Sequence, residues 1–369
     1  MDFRLSEAQQ LLVNSAREFL RRRCPPEALA ESVSGERGFS DDLWKEISVL
    51  GWPGLLVPAA YGGSGGSIFD VCLLVEEMGR VCYPSPYVTS AVAATSLLVA
   101  AGSPAQRERL LPAMAGGERL CALALTEESA SLERDAVRLE GEPGGRLYGR
   151  KLFVSDAHAA DELIVVARGA GGINLLLIDA RRTGVMVRPM EALAGGRPCE
   201  VSFAGAEVRA DDLLGEAGGG WEPLGEALQA GALARSAEMV GCAARILELC
   251  VDHAKVRRQF GRPLGSFQAI QHACADLLRD VETARGLVLS AAWRMEAGLP
   301  RAAAVAMAKA YAGRASQSVA RRAHQLLGAI SFCEEHPLHL FHKRILAAGL
   351  EFGDPAHHLE TVASAIGLA

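Results

Sequence analysis

Residues 350–360, LEFGDPAHHLE, bring Glu351, Asp354, His357, His358 and Glu360 into one short stretch near the end of a 369-residue chain. Carboxylates and imidazoles at this density suit proton transfer, because burial or a neighbouring charge moves either group toward neutral pH. His336, His339 and His342 recur every third residue, a spacing that drifts around a helix surface. Pro337, preceded by Glu334 and Glu335, marks a helix start, so no metal site is expected there. Nine cysteines form no C-x-x-C pair. Cys72, Cys242, Cys250 and Cys274 sit in apolar periodic surroundings, where a thiol acts as a small buried hydrophobe. No serine stands in a G-x-S-x-G elbow, so covalent hydrolysis has no support. The Gly-rich VPAAYGGSGGS (57–67) lacks the lysine ending of a phosphate loop and reads as a turn-rich connection.

These residues need elements to hold them. A chain of this length exceeds the size at which one core usually stops growing, so two or three domains are expected. Half the residues are hydrophobic and 22% are charged, which excludes the disordered class. A net charge of −6 argues against general affinity for nucleic acid or anionic membrane, and the RRR at 21–23 reads as a solvated helix face. The start lacks a cationic and apolar leader, and no apolar run reaches membrane-spanning length, so the chain is read as cytoplasmic. Residues 1–117 carry apolar residues at three- and four-residue spacing and predict a helical domain. Short β-rich runs between turn residues then predict a small antiparallel β-sandwich or barrel domain over 118–220. Helices return over 221–369. There Met239, Val240, Ala243, Ile246, Leu247, Cys250, Val251 and Ala254 trace one stripe, and alanine-rich segments allow close approach in a four-helix bundle. The fold class is α+β.

Several motifs in this order resemble the acyl-CoA dehydrogenase family of flavoproteins over nearly the whole chain. CALALTEES (121–129) is similar to the family's A-L-T-E-P segment, which implies that Leu125 and Thr126 contact the flavin. GRKLFVS (149–155) is similar to the G-x-K-x-W-I-T-N strand, which places Phe153, Val154 and Ser155 against the isoalloxazine. HAKVRRQFGRPLGSFQAIQH (253–272) resembles A-x-x-R-x-x-F-G-x-x-(I/L)-x-x-x-Q, with Arg257, Phe260 and Gln268 at the cofactor positions. Arg257, planar and always charged, suits bidentate bonds to a diphosphate. Gly261 and Pro263 break the helix, so a new one starting near Leu264 is expected to present free N–H groups. QLLGAISF (325–332) resembles the family's Q-x-x-G-G-x-G turn; Gln325 and Gly328 match, whereas Ala329 and Ser331 replace glycines. In the family these contacts cross a subunit boundary. The resemblance therefore implies FAD, an acyl-CoA or carrier-bound acyl thioester as substrate, an electron-accepting flavoprotein, and a homo- or hetero-oligomer.

Oxidising such a thioester needs a base on one face of the Cα–Cβ bond and a hydride acceptor on the other. The resemblance places the family's glutamate base in LEFGDP. Aligned on Gly353, that slot holds Phe352, which cannot take a proton. Glu351 and Asp354 flank it and are the candidate catalytic acids, each displaced along the loop. Glu238, in QAGALARSAEMVG, lies deeper in its helix than the family's alternative base position near Gly231. The family's A-G-S-D reads SASL at 129–132. These departures resemble the partner subunits of heteromeric acyl-CoA dehydrogenases. Three readings follow: a dehydrogenase completed by a base-supplying partner, a non-catalytic subunit that completes an FAD site, and a flavin monooxygenase on the same fold.

Overall fold

The run of strand-forming segments after residue 118 becomes seven strands: β1 Cys121–Ala124, β2 Arg146–Ser155, β3 Glu162–Gly169, β4 Gly172–Asp179, β5 Val185–Pro189, β6 Pro198–Glu207 and β7 Leu213–Leu214. The computed structural model describes residues 4–25, 35, 37–194 and 197–368. Among these it has ten α-helices: α1 Glu7–Arg23, α2 Asp41–Val49, α3 Ile68–Arg80, α4 Thr95–Ala101, α5 Pro104–Ala115, α6 Trp221–Val256, α7 Gln268–Glu296, α8 Ala302–Leu327, α9 Leu338–Leu350 and α10 Pro355–Ala365. No described helix is long and apolar enough to cross a membrane. The chain divides into two units: residues 1–30, 68–83 and 232–369, and residues 31–67 and 84–231.

The β-containing unit has a four-stranded sheet, in the order β1-β3-β4-β7, and a three-stranded sheet, β2-β6-β5. One pair departs from the expected antiparallel arrangement: β1 and β3 run parallel, from Cys121 opposite Glu162 to Ala124 opposite Val165. The chain leaves the first sheet after β1 to form β2 in the second and then returns in the same direction. β3 and β4 are covered on both faces, which explains their unbroken apolar runs. Ile164, Val166, Leu175 and Leu177 pack with Leu97, Leu98, Leu110 and Leu111 of the helices. Leu163, Val165, Leu176 and Ile178 face Leu147, Val154, Val201 and Phe203 of the other sheet.

In the helical unit, α8 packs against α7, α9 and α10, while α1 lies on α3 and α3 on α7. Small residues set the spacing, as the alanine-rich sequence leads one to expect. A Cβ added at Gly241 of α6 would lie 2.0 Å from the Glu76 carbonyl oxygen of α3, so only glycine permits this crossing. Around it Arg17 grips Glu77 through two bonds of 2.9 and 2.7 Å. These contacts fix the middle of α6, where the buried charges of the candidate site lie.

Candidate functional site

In the β-containing unit, the Leu125–Glu127 segment is tied to β2. The Leu152 amide donates to the Thr126 carbonyl at 2.8 Å, and the Thr126 hydroxyl donates to the Leu152 carbonyl at 2.5 Å. One residue later β2 has an irregular register between Lys151 and Val154. Phe153 adopts φ +57° in this bulge and stands half exposed. A left-handed aromatic residue is uncommon and persists only where surrounding bonds over-determine it. Leu125 and Val154 are buried beneath, and Ser155 ends the strand. The sequence-predicted flavin residues Leu125, Thr126, Phe153, Val154 and Ser155 thus sit on two cross-bonded segments of one unit. SASL forms a local turn, with Ser129 Oγ accepting from the Ser131 amide at 3.3 Å and Ala130 at φ +52°.

In the helical unit, α6 ends at Val256, and Arg257 follows on the exposed surface. Here the structure differs from expectation. β8 (Arg258–Gln259) and β9 (Arg262–Pro263) form a hairpin, the helix that starts at Leu264 is a single 3-10 turn over Leu264–Ser266, and the α-helix, α7, starts only at Gln268. The hairpin turn, Phe260–Gly261, has positive φ at both central residues, +50° and +78°, which matches the twist of a two-residue hairpin. Phe260 projects from it 91% exposed, and Arg262 lies over the Phe267 ring at 4.0 Å. Among the described residues no carboxylate pairs with Arg257, and its exposed guanidinium has the planar fork that suits a bidentate anion.

Gln325 and Gly328 are exposed at the end of α8. Gly328, at φ +70° and ψ −148°, occupies a region that only glycine takes comfortably. Ser331, where the family has glycine, is buried and donates to the Gly328 carbonyl at 2.7 Å. His324 Nδ1 therefore donates to Ser331 Oγ at 2.9 Å, and its Nε2 accepts from His342 Nδ1 at 3.1 Å. Burial lowers the pKa of both imidazoles. His336 Nδ1 accepts from the Leu338 amide, and His339 Nε2 bonds the Glu334 carbonyl. These histidines are engaged in holding turns, and among the described residues no cluster is grouped to bind a metal ion.

The C-terminal loop closes the site region of the helical unit. Glu351 Oε2 accepts two bonds from Arg235, at 3.1 Å from Nε and 2.8 Å from Nη2. Arg235 also donates from Nη1 to Glu238 at 2.7 Å, and Arg344 donates from Nε to the other Glu238 oxygen at 2.5 Å. Burial by itself would raise the Glu238 pKa, but the Arg344 and Arg235 guanidiniums outweigh it and hold the carboxyl below its usual range. Asp354 is committed elsewhere: it caps α10, accepting from the His357 amide at 2.8 Å. Lys309, fully buried, donates to the carbonyls of Ala348, Gly349 and Gly353 at 2.9–3.0 Å. Burial draws its pKa down to about 7, although Glu351 pulls upward. His358 Nε2 donates to the Phe352 carbonyl at 2.9 Å, and Phe352 is held at φ +56°.

Sequence reasoning named Glu351, Asp354 and Glu238 but missed Arg235, Arg344, Lys309 and Lys151. Cations beside or inside apolar stretches, such as AMAKAYAG and RKLFVS, were the available signal.

Two expected results arise here. Glu238→Gln should destabilise the helical unit by about 3–5 kcal/mol, because it leaves buried Arg344 without its carboxylate. The double variant E238M/R344M should recover most of that loss in urea unfolding. His358 supplies a pH dependence. Burial pulls its pKa down to about 4. The unfolded chain, with an ordinary imidazole, binds more protons between pH about 6.5 and 4, so stability falls as pH drops through that window. His358→Gln keeps a neutral donor and should flatten this segment by on the order of 2 kcal/mol. A parent-to-variant difference equal at pH 7 and pH 4.5 would remove His358 from the account.

Comparison with known proteins bears on the fold and the family. The acyl-CoA dehydrogenase N-terminal domain family matches residues 6–118, and the acyl-CoA dehydrogenase C-terminal domain family matches residues 218–367. Acryloyl-CoA reductase (NADH) of Anaerotignum propionicum is 30% identical over 352 residues, 92% of this chain and 89% of that protein. The solved ChsE4-ChsE5 complex from Mycobacterium tuberculosis matches with a TM-score of 0.92 at 27% identity, over 100% of both chains. The FAD complex of PigA matches with a TM-score of 0.90 at 25% identity, again over 100% of both chains. The fold and these matches define a family of flavoprotein oxidoreductases. The chain belongs to the acyl-CoA dehydrogenase family, and the family's cofactor is FAD.

Proposed function

We propose that the chain is the FAD-holding subunit of an acyl-CoA dehydrogenase that oxidises the Cα–Cβ bond of a CoA- or carrier-bound acyl thioester, with the base supplied by a companion chain. The observation that carries this reading is the pair of hydrogen bonds that buried Arg235 donates to Glu351. To reach an α proton, Glu351 would have to leave both bonds and strand the buried Arg235 cation, so the pairing holds its carboxylate away from that task. Asp354 would have to leave its helix cap to act. Phe352, in the family's base slot, offers no proton acceptor. Glu351 and Asp354 thus stand as catalytic candidates only in a rearranged loop.

The roles of the remaining residues follow from their chemistry. Arg257 holds the diphosphate and Gln268 donates a hydrogen bond, with Phe260, Gln325 and Gly328 at the dinucleotide end. Leu125, Thr126, Phe153, Val154 and Ser155 lie against the ring. Bound FAD supplies the acceptor for the hydride that leaves Cβ. The partner implied for the reducing equivalents would be an electron-accepting flavoprotein. The solved match to a two-component complex, ChsE4-ChsE5, supports a hetero-oligomer. A purely non-catalytic subunit is the second reading, favoured by the buried Ser331 that stiffens the family's glycine turn.

The test is anaerobic mixing of the FAD-loaded hetero-assembly with acyl-CoA. Glu351→Gln and Asp354→Asn should each leave the flavin-bleaching rate within about threefold of the parent. Loss of a hundredfold or more, the scale of a missing general base, would return that role to this chain.

A further inference from the structure

The most conspicuous buried cation outside the C-terminal loop is Lys151, on β2. Its side chain is fully buried between the sheets, at a position whose neighbours Leu147 and Val154 are apolar. Burial lowers its pKa, and Glu127 opposes that shift. A methionine or leucine would fill the same space without the cost of desolvating an ammonium, so sandwich packing does not explain a lysine here. Its bonds point to another purpose. Nζ donates to the Leu125 carbonyl at 2.9 Å and to Glu127 Oε1 at 2.7 Å, the two residues that bracket Thr126. Glu127 is fixed in turn by the amides of Leu139 and Arg138, both at 3.0 Å. On the other side of Lys151, Leu152 binds Thr126, and Phe153 opens the left-handed bulge.

We propose that Lys151, with Glu127, is the positioning residue of the flavin platform: one ammonium sets the spacing between the Leu125–Glu127 turn and the Phe153 bulge before any cofactor arrives. The assignment of that platform to FAD rests on the function proposed above. The clamp itself is a property of the apoprotein. Lys151, its side chain fully buried, is assigned no contact with cofactor or substrate. It acts by holding Thr126 and Phe153 at a fixed separation, so its loss should alter how the ring is held without abolishing the fold.

The experiment compares Lys151→Met and Glu127→Ala with Arg150→Gln, which removes only the exposed pair between Arg150 and Glu128. FAD titration and the flavin midpoint potential are read on the assembled protein, and amide hydrogen exchange on the apoprotein. Lys151→Met should weaken FAD binding about tenfold or more, the scale of one charge-assisted hydrogen bond, and shift the potential. Glu127→Ala should do the same to a smaller degree, and Arg150→Gln should match the parent. In the apoprotein, exchange protection should fall at residues 125–127 and 152–154 while β3 and β4 stay protected. Parent-like FAD affinity and potential in both clamp variants would overturn the proposal. If Lys151→Met does not fold, Glu127→Ala decides it alone. If the parent itself takes up no FAD, the flavin reading fails, and the exchange data still decide: unchanged protection at 125–127 and 152–154 overturns the clamp, and lost protection supports it.

Discussion

Arg257→Ala is expected to weaken FAD binding by at least about a hundredfold and to yield a colourless assembly. The guanidinium follows α6 directly, is exposed, and has no carboxylate partner among the described residues, so none of these competes for it. Two parallel charge-assisted bonds to a diphosphate contribute about 1.5–3 kcal/mol each, which is why their joint loss exceeds that of an ordinary contact. Arg257→Lys keeps the charge and loses the fork, so it should fall between the two. Arg258→Gln is the control, because Arg258 bonds the Gly261 carbonyl of its own hairpin at 3.3 Å. Equilibrium titration with FAD, followed by fluorescence quenching, measures all three. Parent-like affinity in Arg257→Ala would remove the diphosphate role.

Phe352→Glu is expected to place a base in the slot proposed above, raising the rate of flavin bleaching by acyl-CoA about 10²–10⁴-fold in the absence of any companion. The loop is already built to hold such a group. Lys309 fixes the carbonyls of Gly349 and Gly353, and His358 fixes that of Phe352. The new side chain therefore inherits a rigid backbone with φ +56°, which costs a glutamate no more than it costs the phenylalanine. Partial burial there favours the neutral acid and moves a carboxyl pKa upward, toward the range in which a base works near neutral pH. Stopped-flow absorbance under argon follows the bleaching. If Phe352→Glu binds FAD and still bleaches no faster than the parent, the slot is not where the α proton departs.

How far the sequence foretold these features depends on whether each is local or assembled. β2, written RLYGRKLFVS, was legible to the residue, because its turn neighbours and strand-forming side chains are local signals. The pairing of β1 with β3 was not, since two short apolar runs carry no mark of their relative direction. The helix break after Arg257 was legible from Gly261 and Pro263, but the hairpin that fills it was not. Phe260 takes a left-handed φ that its residue type does not announce. The acids of the C-terminal loop could be named from sequence, while their engagement could not. Arg235 and Glu351 meet at 2.8 Å across 116 positions of chain, and Arg344 reaches Glu238 across 106. Only the packed bundle brings them together.

The central claim is that this chain holds the flavin and leaves the α proton to a partner. It is tested most directly by loading the purified chain with FAD, mixing it anaerobically with acyl-CoA, and repeating the mixing after a companion acyl-CoA dehydrogenase subunit that carries the family's glutamate is added. The account predicts that the flavin band persists in the first mixing and bleaches in the second. Bleaching of the lone chain at the rate of the complete assembly would contradict it.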